Sequence, residues 1–146
     1  MDITIEDRFA IQELYAKYCQ TVDQNDAEGW ADTFTEDGER YYDPHMSMPA
    51  RAGKLFKGRE QLIALQTGLQ PTRRPLRTRH WHSTPVLSDA GNHVSSVVYG
   101  MVVDVSQEPP VILGHTTYTD RLVKIEDGSW RIQFRASVHD RYPAPE

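Results

Sequence analysis

The sequence predicts an α+β fold in which helices near the N-terminus pack on a mainly antiparallel sheet. Up to about residue 25 the apolar residues recur at helical spacing, whereas from residue 77 segments rich in β-branched residues are separated by turn sequences. The chain has 146 residues, and we expect one domain over 1–146, because two domains of half that length would each bury too small a core.

An amphipathic helix is predicted over residues 5–24, and it begins with a capping box formed by Thr4 and Asp7. Its apolar side chains fall within about 100° of one another on a helical wheel. They are Ile11, Leu14, Tyr15, Tyr18 and Val22. This stripe is expected to cover one face of the sheet.

Two shorter helices are predicted to follow. Asn25 and Glu28 can cap a short helix that carries Trp30 and Phe34, and residues 58–70 place leucines at helical spacing. Together the helices would cover the apolar face that an antiparallel sheet leaves open.

The remainder is predicted to form strands, a short one at 38–43 and long ones from residue 77. Turn sequences at 89–92, 109–110 and 127–128 divide the long strands, so that strands joined by hairpins run antiparallel. The irregular loop 44–57 is a candidate lid or pocket rim. In the last strand one face carries Trp130, Ile132, Phe134, Ala136 and Val138, and the other carries Arg131, Gln133, Arg135, Ser137 and His139.

Charge and cysteine content exclude several classes of protein. The 16 Lys and Arg residues against 21 Asp and Glu residues give a net charge of −5, which argues against nucleic acid as a partner. The basic residues cluster only at Arg73, Arg74, Arg77 and Arg79. The one cysteine, Cys19, rules out an intrachain disulfide or a zinc finger built on paired cysteines.

No membrane or secretory segment is predicted. The apolar runs are far shorter than the roughly 20 residues that cross a bilayer, and residues 1–15 are acidic rather than apolar. We therefore expect a cytoplasmic protein whose partner is a small molecule.

The strongest candidates for chemistry are two histidines on the segment 77–88. His80 and His82 share one face of a strand, and a histidine can take or give a proton at neutral pH. A neighbouring carboxylate would hold the imidazole in one tautomer and favour its protonated form. From the pattern alone, both could equally be ordinary hydrogen-bonded residues of the sheet.

A His-x-His pair can also bind a metal ion. A third ligand would have to come from His115, His139 or Asp104, and the spacing selects none of them. We therefore predict no metal.

Three further polar side chains lie near the predicted core. Tyr18 is on the apolar stripe of the first helix, so its hydroxyl needs either a core acceptor or a ligand oxygen. Asp23 lies about 120° from the centre of the stripe and can turn inward only if the helix ends there. Of Tyr41 and Tyr42, one faces inward, and the pattern leaves open which.

Four segments carry a resemblance to a known family: DRFAIQELYAKYCQTVDQNDAEGWADTFTEDG, TRHWHSTPVL, VVYGMVVDV and DGSWRIQFR. The first resembles the first two helices of the SnoaL-like branch of the nuclear-transport-factor-2-like superfamily, and the other three resemble its sheet. The resemblance covers nearly the whole chain. It implies a strongly curved sheet that forms a cone with a deep pocket.

The resemblance also implies roles for particular residues. Dehydratases and related enzymes of this branch pair an Asp at the end of the first helix with a His on the first long strand, which matches Asp23 and His80. Tyr18 matches a further catalytic position. The residues expected to contact substrate are Tyr42, His82, Asp104 and Trp30.

These matches predict a cofactor-independent lyase or isomerase, resembling a dehydratase, that acts on a cyclic or polyketide-like small molecule. Two alternatives stay open. One is a polyketide cyclase of the same fold. The other is a non-catalytic module for small-molecule binding or subunit assembly, such as the β subunit of a ring-hydroxylating dioxygenase. A homo-oligomer is expected, with a trimer favoured over a dimer.

Overall fold

A computed structural model describes residues 2–46, 48–69 and 77–139. Arg73 and Arg74 of the basic cluster, and Gln70 at the expected end of the third helix, lie outside these ranges. The described residues place three helices against one face of a curved, mostly antiparallel sheet that does not close into a barrel.

The helices are α1 (Ile5–Asp23), α2 (Ala27–Ala31) and α3 (Arg59–Leu69). The predicted capping box is present, because the Thr4 hydroxyl accepts the Asp7 N–H at 3.1 Å and the Asp7 carboxylate accepts the Thr4 N–H at 3.2 Å.

The prediction for the second helix was wrong in two details. Its N-cap is Asp26, whose carboxylate accepts the Gly29 N–H at 2.8 Å, and not Asn25. Asn25 has a φ of 57° in the left-handed region, so it makes the turn between the helices. The helix ends before Phe34, which instead begins the first strand.

The described residues form seven strands: β1 (Phe34–Tyr42), β2 (Leu55–Lys57), β3 (Thr78–His82), β4 (Val86–Asp89), β5 (Val94–Asp104), β6 (Val111–Lys124) and β7 (Trp130–His139). Their order is β2-β1-β7-β6-β5-β3, with β4 also beside β5. Every pair is antiparallel except β1 with β7. The predicted segment 77–88 is thus two strands, separated at 83–85, where Pro85 has no N–H to donate to a ladder.

The predicted alternation of β7 fails at Gln133. Ile132 pairs with Leu122 while Phe134 pairs with Arg121, so Gln133 is an extra residue on β7 and forms a β-bulge. Because one inserted residue reverses the facing of every side chain beyond it, Phe134 turns outward and Arg135 becomes fully buried.

The outer face of the sheet exposes apolar side chains, among them Trp81, Tyr99 and Val138. The expected homo-oligomer stays a prediction. In the described part of the chain, none of the helices is long and apolar enough to cross a membrane.

Candidate active site

A cavity of about 290 Å³ lies between the sheet and α1. Its polar wall comes from widely separated parts of the chain, and it includes Tyr18, Arg40, Tyr42, Gln66, His80, Tyr118 and Ser137. Its apolar wall includes Val22, Met46, Met48, Val102 and Leu113. Met46, Met48 and Arg51 belong to the predicted loop 44–57, so the prediction of a pocket rim is confirmed. The predicted extent of the loop was wrong, because residues 55–57 form strand β2 beside β1.

The structure brings Asp23 and His80 together. The Oδ1 atom of Asp23 lies 2.6 Å from Nδ1 of His80, although the residues are 57 positions apart. Both side chains are largely buried, with 10% and 15% of their surfaces exposed. In a continuing helix the Asp23 side chain would point to solvent. Because α1 ends at Asp23, the carboxylate can turn inward toward β3.

The same carboxylate also holds the strand that carries His80. Its two oxygens accept the backbone N–H of His80 at 3.2 and 3.0 Å. β3 pairs with β5 on one side only, so this N–H would otherwise lie unpaired at the sheet edge. Asp23 therefore sets both the position of the strand and the tautomer of the ring. With Nδ1–H donating to Asp23, Nε2 is the nitrogen that can accept a proton.

Three tyrosines surround two guanidinium groups at the base of the cavity. The Cζ atom of Arg135 lies 4.3 Å from the ring centroids of both Tyr18 and Tyr118. The Cζ atom of Arg40 lies 4.0 Å from the Tyr42 ring. These are cation–π distances, and all three rings are largely buried.

The two cations change the acidity of Tyr18. Burial opposes ionisation of its phenol, but the charges of Arg40 and Arg135 outweigh burial, so the pKa of Tyr18 lies below that of a free tyrosine. For Tyr118 burial dominates and the pKa is raised. Tyr18 is therefore the more acidic hydrogen-bond donor of these two.

Arg135 belongs to a charge-balanced network beneath the cavity. Its Nε and Nη2 atoms donate to the two oxygens of Asp120 at 2.7 and 2.8 Å, and both side chains have 0% exposure. The Tyr15 hydroxyl lies 2.5 Å from Asp120 and 2.7 Å from the Ser96 hydroxyl. The network holds Arg135 rigidly below Tyr18.

His82 belongs to this network and does not line the cavity of about 290 Å³. Together with Asp23 and His80 it lines a second pocket between α1 and β3, and its expected contact with substrate stays a prediction. Its ring is 5.4 Å from Tyr15, 5.6 Å from Tyr18 and 5.1 Å from Tyr118, measured between centroids. Burial, followed by the charge of Arg135, lowers the pKa of His82 to about 2, so the ring is neutral. It shares the inner face of β3 with His80, but α1 covers it.

Trp30 and Asp104 also lie outside the cavity lining, which corrects their expected placement. Trp30 is fully buried and packs against Tyr18 and Phe34 in the core. Asp104 ends β5 and turns toward the following loop, where its carboxylate accepts hydrogen bonds from Ser106 and the Gln107 amide.

Sequence reasoning missed Arg40 and Arg135. Arg40 and Tyr42 share a face of β1, so the inward direction of Tyr42 would have identified Arg40, but the pattern left that direction open. Arg135 carries no such signal, because the bulge at Gln133 does not interrupt the alternation of the sequence. Among the described residues, no group of three or more His, Cys, Asp or Glu is placed to hold a metal ion.

Comparisons with known proteins agree with this architecture. A family model described as a SnoaL-like domain matches residues 4–136. A search of curated protein sequences finds no match.

Solved structures of similar fold include three informative ones. A Mycobacterium tuberculosis protein of unknown function is 28% identical, with a TM-score of 0.77, over 97% of this chain and 79% of that one. ActVI-ORFA from Streptomyces coelicolor is 25% identical, with a TM-score of 0.75, over 90% and 96% of the two chains. The β subunit of a putative aromatic-ring-hydroxylating dioxygenase from Novosphingobium aromaticivorans is 19% identical, with a TM-score of 0.76, over 97% and 94%.

Proposed function

Because the chain belongs to the SnoaL-like family, we propose that it is a cofactor-independent lyase or isomerase acting on a cyclic or polyketide-like small molecule. The observation that carries this proposal is the 2.6 Å contact between Asp23 and His80 at the wall of a cavity. A largely buried carboxylate that orients an imidazole is the arrangement of a general base.

The proposed reaction begins with proton abstraction. Nε2 of His80 takes a proton from a carbon beside a carbonyl group, and the C–H electron pair moves onto the carbonyl oxygen as an enolate. Asp23 stabilises the imidazolium that forms, because a negative charge at 2.6 Å favours the charged ring. Proton transfer of this kind is typically worth about 10²- to 10⁴-fold in rate.

The enolate oxygen would be stabilised by Tyr18. A phenol whose pKa is lowered by neighbouring cations donates a stronger hydrogen bond to a developing negative charge. Tyr42 lines the same cavity and can donate to the substrate as well. In an elimination, the enolate oxygen re-forms the carbonyl group and the enolate C=C pair becomes a double bond to the β carbon. The bond from the β carbon to the leaving group breaks, and the leaving group takes that electron pair and the proton that His80 carries. In an isomerisation, His80 returns that proton to another carbon.

A polyketide cyclase is the second candidate. The same Asp23–His80 pair could deprotonate a carbon that then attacks a carbonyl of the same molecule. The match of residues 4–136 to the SnoaL-like family is compatible with this chemistry. A purely structural module, such as a dioxygenase β subunit, would not need a histidine and carboxylate paired at a cavity wall.

The proposal predicts that His80→Gln abolishes proton abstraction. We would follow exchange of the α-protons of cyclic β-hydroxy ketones in deuterium oxide by NMR, together with formation of the unsaturated ketone. Activity should fall about 10²-fold or more while the fold, checked by circular dichroism, is retained.

His93→Gln is the matched control, because His93 lies in the turn between β4 and β5, away from the cavity. The control should keep wild-type activity. A His80→Gln variant that exchanges protons as fast as the wild type would show the proposal to be wrong.

A further inference from the structure

We propose that the cavity binds its substrate as a carboxylate, with the guanidinium of Arg40 as the counter-ion. The inference rests on the proposed function for the identity of the cavity as the reaction site, and it adds the chemical class of the substrate. Binding of the anion itself needs no proton transfer by His80, so the two proposals can fail separately.

Arg40 is buried without a carboxylate partner among the described residues. Its exposed fraction is 3%, and no carboxylate of the described residues lies within 4.0 Å of it. Its Nη1 atom donates to the carbonyl oxygen of Tyr41 and, at 3.5 Å, to that of Arg135, and its Nη2 atom donates to the Ser137 hydroxyl at 3.1 Å. Its Nε atom is buried with no hydrogen-bond partner in the described structure. Neutral oxygens thus meet only part of what the guanidinium can donate.

Arg135 shows what a structural arginine in this fold looks like. Its Nε and Nη2 atoms donate to the two carboxylate oxygens of Asp120, at 2.7 and 2.8 Å. A buried cation normally has such a partner, because removing it from water without one is costly. Arg40 lies in the same core, touches the cavity, and has none among the described residues. A ligand carboxylate would supply the missing partner.

The cavity as a whole favours an anion. The described residues that line it include no Asp or Glu, whereas Arg40 and Arg51 both contribute to its wall. The lowered pKa of Tyr18 reports the same excess of positive charge on a second group. A neutral substrate would leave this excess uncompensated, and a carboxylate would balance it.

The position of Arg40 also orients the substrate. Arg40 is on β1 and His80 is on β3, and three strands separate β1 from β3 in the sheet. The carboxylate would bind at the β1 side, and the carbon that loses a proton would lie at the β3 side. At about 290 Å³ the cavity is near the lower end of the range for ligand pockets, roughly 300–1,000 Å³, so the two groups belong to one compact molecule.

Calorimetric titration at neutral pH with 2-naphthoate and with its uncharged analogue 2-naphthamide tests the proposal. The wild type should bind the carboxylate about tenfold more tightly than the amide, since a hydrogen bond to a charged group is worth about that factor. Arg40→Met should abolish this preference, and Arg40→Lys, which keeps the charge, should retain part of it. Arg59→Met, which removes an arginine on the surface paired with Asp32, should leave it unchanged.

Equal binding of the two probes by the wild type, or binding of neither, would overturn the proposal; this comparison does not depend on whether Arg40→Met folds. An ultraviolet spectrum in which the empty protein shows a phenolate signal at neutral pH, and Tyr18→Phe lacks that signal, would overturn it too, because the Tyr18 phenolate would then be the counter-ion.

His80→Gln should bind 2-naphthoate like the wild type. Activity retained in His80→Gln with the preference lost in Arg40→Met would refute the proposed function and leave the carboxylate site standing.

Discussion

The two histidines of β3 lie two residues apart and belong to different regions of the molecule. His80 lines the cavity, and in the described part of the chain its ring is held by the Asp23 carboxylate through Nδ1. His82 lies under α1 in the closed network with Tyr15, Asp120 and Arg135, and its ring is held neutral. The two histidines have the same residue type and lie on the same face of β3. Their different surroundings therefore depend on the side chains that contact each ring and on the helix α1 that covers His82.

The largest expected effect is a difference in stability between variants of the buried network and variants of the Asp23–His80 pair. Asp120→Asn leaves the fully buried Arg135 charge without its partner, and we expect the free energy of unfolding to fall by about 3–5 kcal/mol. Asp23→Asn keeps an oxygen for the His80 N–H, so its stability loss should be well below that of Asp120→Asn. Urea denaturation of both variants measures the difference. Similar losses in the two variants would mean that the Asp23–His80 pair is as structural as the network.

The next effect concerns pH and belongs to His82. Its pKa is lowered from 6.5 to about 2 in the folded protein, so below pH 6.5 the unfolded chain binds a proton that the folded protein does not. Folding stability should therefore be fully present above that pH and fall as the pH decreases, by up to about 1.4 kcal/mol per pH unit.

The matched comparison is His82→Gln, which removes this titration. Between about pH 6 and pH 5, the free energy of unfolding should depend on pH less steeply in the variant than in the wild type, by up to about 1.4 kcal/mol per pH unit. Thermal denaturation at several pH values provides the measurement. Parallel curves for the two proteins would show that His82 is not held neutral.

The smallest expected effect tests the boundary of the site. Asp104→Asn should leave turnover unchanged and alter stability little, because among the described residues its carboxylate accepts hydrogen bonds from Ser106 and Gln107 of the exposed loop that follows it. Turnover and unfolding of the variant, measured beside His80→Gln, check this. A loss of turnover comparable to that of His80→Gln would show that Asp104 belongs to the active site, as the family resemblance implied.

Much of this architecture was predictable from local patterns. The span of α1, its capping box, the antiparallel long strands and the rim loop all depend on residues close together in the chain. The meeting of Asp23 with His80 was predictable only through the resemblance, because a wheel extended over residue 23 directs the carboxylate toward solvent. Arg40 was missed because the pattern left open which face of its strand turns inward. Arg135 was missed because alternation alone gives no sign of the bulge at Gln133.

The amino-acid sequence alone determined the first and third helices and the long strands, because the hydrophobic period and the capping residues act within a few positions of one another. Only the tertiary structure decided which side chains reach the cavity. The bulge at Gln133 arises from the register of β7 against β6, and it turns Arg135 inward. The end of α1 lies beside the open edge of β3, and the unpaired N–H of His80 draws in the carboxylate of Asp23. Both depend on contacts between residues far apart in the chain, which local periodicity does not encode.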